Sequence, residues 1–202
     1  MKSIVVGLTG QTGAGKSTVA SFAKAMGCRI VDCDAVAREA LSPGSDCLKR
    51  VAELFGDDII DDMGGCRRTL LAERAFADKE KTELLNNVTH PWIIRRSQEY
   101  IEKYRAASDG LIIFDAPLLY ESGGDALCSK VIAVTAPLNV RLERIMNRDG
   151  ISREYAMLRI NAQKDDEFYT SRADYVIDGS ESLDEVKERL INIFKEIKAD
   201  EV

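Results

Sequence analysis

Long apolar runs are missing from this 202-residue chain, in which no stretch of consecutive apolar residues exceeds four. A membrane-spanning helix needs roughly 20, so the expectation is a protein with no membrane partner. Histidine is nearly missing too: His90 stands alone, and the five cysteines (Cys28, Cys33, Cys47, Cys66 and Cys128) contain no C-x-x-C pair. An odd number without that spacing favours neither a disulfide framework nor a zinc site, and points to reduced thiols and a cytoplasmic setting. The start, Met1 to Gly7, carries one basic residue and a short apolar run, too weak a pattern for a signal peptide. Basic residues are in deficit, 28 against 34 acidic for a net charge of −6. A dedicated nucleic-acid binder needs the opposite sign on at least one face, so no nucleic-acid partner is expected. What remains is an ordinary globular balance, 45% apolar and 31% charged, on a length that fits one domain with insertions.

Five short apolar runs read as strands: Ile4 to Leu8, Arg29 to Asp32, Leu111 to Asp115, Val131 to Thr135 and Asp174 to Asp178. Helical patterns separate them. Lys16 to Ala25 places Val19, Phe22, Ala23 and Met26 on one face. The capping-box sequence Ser182-Leu183-Asp184-Glu185 opens a helix with Leu183, Val186, Leu190, Ile193, Phe194 and Ile197 on one stripe. Strands alternating with helices predict an α/β fold, a five-stranded parallel sheet flanked by helices, with ligands beyond the strands' carboxyl ends. Residues from about 35 to 106 lack strand signals, and Gly56 and Gly64-Gly65 divide them into short helices. They read as a helical substrate-binding insertion, and about 139–172 as a second helical insertion. The core of the single domain, 1–202, is then about 1–34, 107–138 and 173–202.

The strongest signal is Gly10-Gln11-Thr12-Gly13-Ala14-Gly15-Lys16-Ser17, a complete G-x-x-x-x-G-K-[ST] directly after a strand and opening a helix. Glycines there let successive N–H groups turn toward phosphate oxygens, and the helix adds the positive end of its dipole. Lys16 would reach the β- and γ-phosphates, and the Ser17 hydroxyl would ligate Mg²⁺. Asp115, ending an apolar strand, has the form of a second metal-site carboxylate, or is a turn residue at a strand end. Arg141, Arg144, Arg148, Arg153 and Arg159 fall within 19 residues that hold no lysine. Planar guanidinium groups clamp phosphate oxygens in pairs, so the cluster suits a lid, although most of its members read equally as a solvated helical face. Asp34, at the end of the second strand, could accept a proton from an attacking hydroxyl or cap the helix that follows. No N-K-x-D occurs, which disfavours a GTPase. Small size with two helical insertions favours a small-molecule kinase that closes to exclude water.

These residues together resemble the dephospho-CoA kinase family. The resemblance rests on Gly7-Leu8-Thr9-Gly10 through Thr18, Val31-Asp32-Cys33-Asp34-Ala35 through Arg38, Arg67-Arg68-Thr69-Leu70-Leu71, and His90-Pro91. It continues through Asp115-Ala116-Pro117-Leu118-Leu119-Tyr120-Glu121, the lid pattern from Arg141 to Gln163, and Ala173 to Gly179. It spans about residues 3 to 195. The chain departs from the family where Gln11-Thr12 replaces the usual Gly-Ile and where Cys33 replaces a small Ala.

What the resemblance implies is ATP-dependent phosphorylation of the ribose 3′-hydroxyl of dephospho-CoA, by a monomer or small homo-oligomer. Gly13, Ala14, Gly15, Lys16, Ser17, Thr18 and Arg148 would bind ATP, Ser17 and Asp115 would hold Mg²⁺, and Lys16, Asp34 and Arg144 would be catalytic. Asp34, Arg68, His90, Pro117 and Leu118 would bind the acceptor. His90-Pro91 reads as a helix start that shapes the substrate site, with Pro91 in the first turn. The alternatives are a kinase of nucleosides or nucleoside monophosphates, and a module that binds nucleotide without transferring phosphate.

Overall fold

The computed structural model describes residues 3–107 and 109–200, in two compact units. The first comprises 3–31 with 104–200. Its sheet is built from β1 (Ile4–Gly10), β2 (Arg29–Asp32), β3 (Leu111–Asp115), β4 (Lys130–Thr135) and β5 (Tyr175–Asp178), in the order β2-β3-β1-β4-β5. β1 pairs in parallel with both β3 and β4, and β4 with β5. A central strand is covered on both faces, which is why every residue of β1 is buried. Side chains alternate across it. Val6 and Leu8 join Ile113, Ile132, Val134 and Ile177 in the larger core, while a side chain at Gly7 would run into Leu119 and Cys128 on the other face.

Two helices close the larger core: α1 (Lys16–Ala25) contributes Val19 and Ala23, and α9 (Leu183–Ala199) contributes Val186, Leu190, Ile193, Phe194 and Ile197. The expected capping box forms, with Ser182 Oγ accepting from the Glu185 N–H and Glu185 Oε2 accepting from the Ser182 N–H. Leu183 departs from the expected stripe. It occupies the first helical position and is 64% exposed, because angle on the helix does not bury a residue whose turn overhangs the core. The region expected to be the second helical insertion folds as α6 (Leu138–Asp149), α7 (Arg153–Asn161) and α8 (Asp166–Thr170). Leu142, Ile145, Ala156 and Ile160 make a small core of their own there.

The second unit, 32–103, is helical: α2 (Cys33–Ala40), α3 (Asp46–Phe55), a short 3-10 turn at Asp57–Ile59, α4 (Arg68–Ala75) and most of α5 (Lys79–Ala107). Leu48, Val51, Phe55, Ile59 and Leu71 form its core, against Leu85, Val88, Trp92 and Ile93 of α5. Pro91 lies deep inside α5 and not at a helix start. Proline removes the bond to the Asn87 carbonyl, but both residues are exposed to water, and apolar residues on either side pack into one core. Tertiary packing therefore carries the helix through a local breaker. No disulfide joins the five cysteines among the described residues.

One close approach shapes the functional end of the first unit. A Cβ on Gly179, just after β5, would lie 2.0 Å from the Ala14 carbonyl oxygen, and both partners are backbone. Gly179→Ala is expected to lower the melting temperature by about 5–10 °C and to weaken nucleotide binding, since only backbone movement relieves the clash. A melting temperature unchanged in calorimetry would show that the 13–15 loop yields freely.

Candidate active site

The predicted phosphate loop links β1 to α1. Gly15, at φ 106°, is the N-cap of α1, and no side chain caps that helix end. Only glycine adopts such a φ without strain, and the first N–H groups of an α-helix, which lack intrahelical partners, suit an anion. Within the loop, the Ala14 N–H donates to the Gln11 carbonyl at 3.1 Å. Sheet register sets Asp115 beside Leu8, two residues before the loop, and the Lys16 ammonium donates to Asp115 Oδ1. Both side chains of this ion pair are largely buried. Ser17 is exposed at the start of α1, and the Thr18 N–H donates to the Gly15 carbonyl at 3.0 Å.

The arginines expected to act as one cluster divide into separate jobs. Arg144 braces the loop, its Nη1 donating to the carbonyls of Gly13 at 3.2 Å and Ala14 at 3.3 Å and its Nη2 to that of Gly179 at 2.8 Å. Among the described residues, three of its five donors are thus engaged. Arg141 is buried. Its Nε donates to the Thr12 carbonyl at 3.2 Å, its Nη1 donates to Gln11 Oε1, and Asp166 lies 3.6 Å away. Arg148 meets Asp149 through two bonds, at 2.7 and 2.9 Å, and Arg159 meets the same carboxylate. Arg153 is exposed on the first turn of α7.

Gln11 and Gln163 were not marked as site residues by their spacing. Gln11 Nε2 donates to the Lys164 carbonyl at 2.7 Å, and Gln163 Oε1 accepts from the Thr12 N–H at 2.8 Å. The available signal was the substitution itself, a large amide where a glycine is usual. Pro117 and Leu118 lie just beyond β3; the Pro117 carbonyl accepts from Thr9 Oγ1 at 3.4 Å, and Leu118 is 45% exposed. Tyr120 and Phe168 meet edge to face, and the Arg172 guanidinium sits 4.2 Å from the Phe168 ring centroid.

In the second unit, Asp32 is the N-cap of α2. Its Oδ1 accepts from the N–H groups of Asp34 and Ala35 at 2.9 and 3.1 Å. The capping role considered for Asp34 therefore belongs two residues earlier, because the helix begins at Cys33. Asp34 itself is exposed in the first turn. Arg74 pairs with Asp58, Arg95 with Asp46, and Arg96 with Glu39 and Glu99. Arg67 and Arg68 are exposed and form no ion pair among the described residues. His90 is half-buried, and burial pushes its pKa below the ordinary imidazole value. It is therefore neutral at pH 7.

The donor set suits Mg²⁺. The Ser17 hydroxyl and the Asp115 carboxylate are hard oxygen donors of the kind that ion prefers. No group of three or more His, Cys, Asp or Glu able to hold a metal exists among the described residues. The rest of a coordination shell would come from phosphate oxygens and water, the ordinary arrangement for Mg²⁺ at a nucleotide site. Among the described residues, no helix is long and apolar enough to cross a membrane.

With loop, lysine and carboxylate in place, the decisive comparison is with known families: the dephospho-CoA kinase family model matches residues 4–185. The chain belongs to the dephospho-CoA kinase family. A curated dephospho-CoA kinase from Corynebacterium diphtheriae is 45% identical over 186 residues, covering 92% of each chain. A crystal structure from Thermus thermophilus superposes with a TM-score of 0.80 at 32% identity, covering 99% of this chain and 98% of that one. A dephospho-CoA kinase structure from Campylobacter jejuni does so with a TM-score of 0.63 at 26% identity, over 96% and 97% of the two chains.

Two expectations follow for this family member. Arg144→Lys should cut turnover about tenfold or more in a coupled assay, since one ammonium cannot serve three carbonyls in a fixed fork. An unchanged rate would separate loop bracing from activity. For His90, the folded state disfavours the charged form, so the unfolded chain binds more protons below about pH 6.5. Stability should fall as pH drops from about 6.5 toward the lowered value of His90, and His90→Gln should flatten that leg of the melting curve. Parallel curves for both proteins between pH 5 and 7 would refute it.

Proposed function

We propose that this protein transfers the γ-phosphoryl group of ATP to the 3′-hydroxyl of the dephospho-CoA ribose, giving coenzyme A and ADP in the cytoplasm. The observation that carries the reading is the family match over residues 4–185, on a chain whose phosphate loop, Lys16 and Asp115 are already assembled. The backbone of 10–17 binds the β- and γ-phosphates, with Gly13, Ala14, Gly15 and Thr18 shaping the cradle. Lys16 neutralises charge passing to the leaving oxygen. Arg144 offers its guanidinium to the transferring group, and Arg148 contributes from the lid. Ser17 and Asp115 would hold Mg²⁺, which when bound supplies charge neutralisation at the phosphates.

Asp34 accepts the proton of the attacking hydroxyl as the new P–O bond forms and the bond to ADP breaks. Its assignment rests on the family pattern Asp32-x-Asp34, and the capping by Asp32 supports it, since Asp34 is spared that work. The helical unit 32–103 takes the acceptor, with exposed Arg68 suited to its anionic parts and neutral His90 to shaping. Pro117 and Leu118 bind the acceptor, and the helical insertion of about 139–172 serves as the lid.

The test offers dephospho-CoA, nucleosides and nucleoside monophosphates separately with ATP, and reads the mass and phosphate position of the product. A 3′-phosphate on dephospho-CoA alone is expected. Asp34→Asn should keep ATP affinity while transfer falls about 10²-fold or more, the scale of losing a general base. Turnover only with a nucleoside or its monophosphate would overturn the acceptor, and full activity in Asp34→Asn would overturn the base.

A further inference from the structure

The bonds made by Gln11 form a connection that the proposed chemistry does not use. Gln11 is 5% exposed and Arg141 3%, unusual burial for two such polar side chains. Gln11 is bonded at both ends of its amide, donating to the Lys164 carbonyl at 2.7 Å and accepting from Arg141. One residue on, the Thr12 N–H is taken by Gln163 Oε1 at 2.8 Å. Residues 163 and 164 form the turn between α7 and α8, so two consecutive loop residues are tied to two consecutive turn residues. Arg141 joins the same knot through the Thr12 carbonyl, with Asp166 of α8 at 3.6 Å.

We propose that Gln11 is a positioning residue that pins the α7–α8 turn to the phosphate loop and so pre-organises the ATP site. This deepens the proposed function and rests on its assignment of ATP to residues 10–17. A mobile lid base must be ordered when nucleotide binds, and that ordering subtracts from affinity. Gln11 removes the cost by holding the turn in place beforehand. Glycine, the residue usual at this position, has no side chain with which to make either bond. In this chain, the side chain of residue 11 therefore adjusts ATP affinity through the turn it holds and not through a bond to the phosphates.

The test compares the parent with Gln11→Ala, Gln163→Ala, Gln163→Glu and the double alanine variant. Calorimetric titration with a non-hydrolysable ATP analogue measures affinity, and amide hydrogen exchange follows residues 162–168. Gln11→Ala should bind about fivefold more weakly, the scale of one buried hydrogen bond. Exchange at 162–168 should quicken by a similar factor, while β1 and α1 keep their protection. Gln163→Glu retains the acceptor for the Thr12 N–H and should match the parent, whereas Gln163→Ala should resemble Gln11→Ala. The double variant should lose less than the product of the two single losses, because both side chains secure one turn. In steady state the change should fall on KM for ATP more than on KM for dephospho-CoA. Affinity within twofold of the parent, unchanged exchange at 162–168, or loosening spread evenly through β1 and α1 would each overturn the proposal. Both main readouts precede phosphoryl transfer, so they report on the anchor whichever acceptor the enzyme uses.

Discussion

The carbonyl groups of the phosphate loop constrain everything built around them. For a loop to offer its N–H groups to an anion, its carbonyls must turn away and find donors elsewhere. Arg141 and Arg144 are those donors, together satisfying Thr12, Gly13 and Ala14. Bonds from a guanidinium are worth roughly 1.5–3 kcal/mol each, about twice a neutral bond. Burying Arg141 is costly, as the lowering of its pKa by burial shows. That cost is offset because the group reaches a carbonyl, an amide oxygen and a nearby carboxylate at once. One helix, α6, thereby fixes the backbone of the loop from behind.

The sheet determines where that helix and loop can meet. β1 lies between β3 and β4, so its carboxyl end is flanked by Asp115 on one side and Val134 on the other. The chain leaving β4 becomes α6 within a few residues, which delivers Arg141 and Arg144 to the loop. The chain leaving β5 brings Gly179 against Ala14 and supplies a third carbonyl for Arg144. Three strand ends thus converge on eight residues, and only a residue without a Cβ fits at the tightest point.

Much of this was legible in the residues. β2 and β3 run over the spans their apolar runs marked, α1 starts and stops as its pattern suggested, and the capping box at Ser182 forms. Local rules sufficed because each of these signals is local. The arginines were different. Periodicity alone would place Arg141 with Ile145 on the inner face of α6, yet a charged residue reads as solvent-facing until its partners are known. Those partners, Gln11 and Thr12, lie about 130 positions away. Pro91 failed as a helix start for the same reason, since the packing of Val88 and Trp92 on one core is not visible in a dipeptide. Asp32 and Asp34 are equally good caps by composition, and only the point at which β2 gives way to α2 decides between them.

The pairing of Lys16 with Asp115 carries the electrostatic argument one step further. Both side chains are largely buried, and a buried charge without a partner is expensive. Under the proposed function, phosphate oxygens give the ammonium a new counterion, which alone would leave Asp115 facing added negative charge. A divalent cation would offset the carboxylate in the same event, so that Lys16 and Asp115 would each keep a counterion of opposite charge. Neither ligand alone achieves that balance. Under the proposed function, the acidic residue at the end of β3 would thus favour a metal–nucleotide complex over a bare polyanion, through the same lysine with which it pairs.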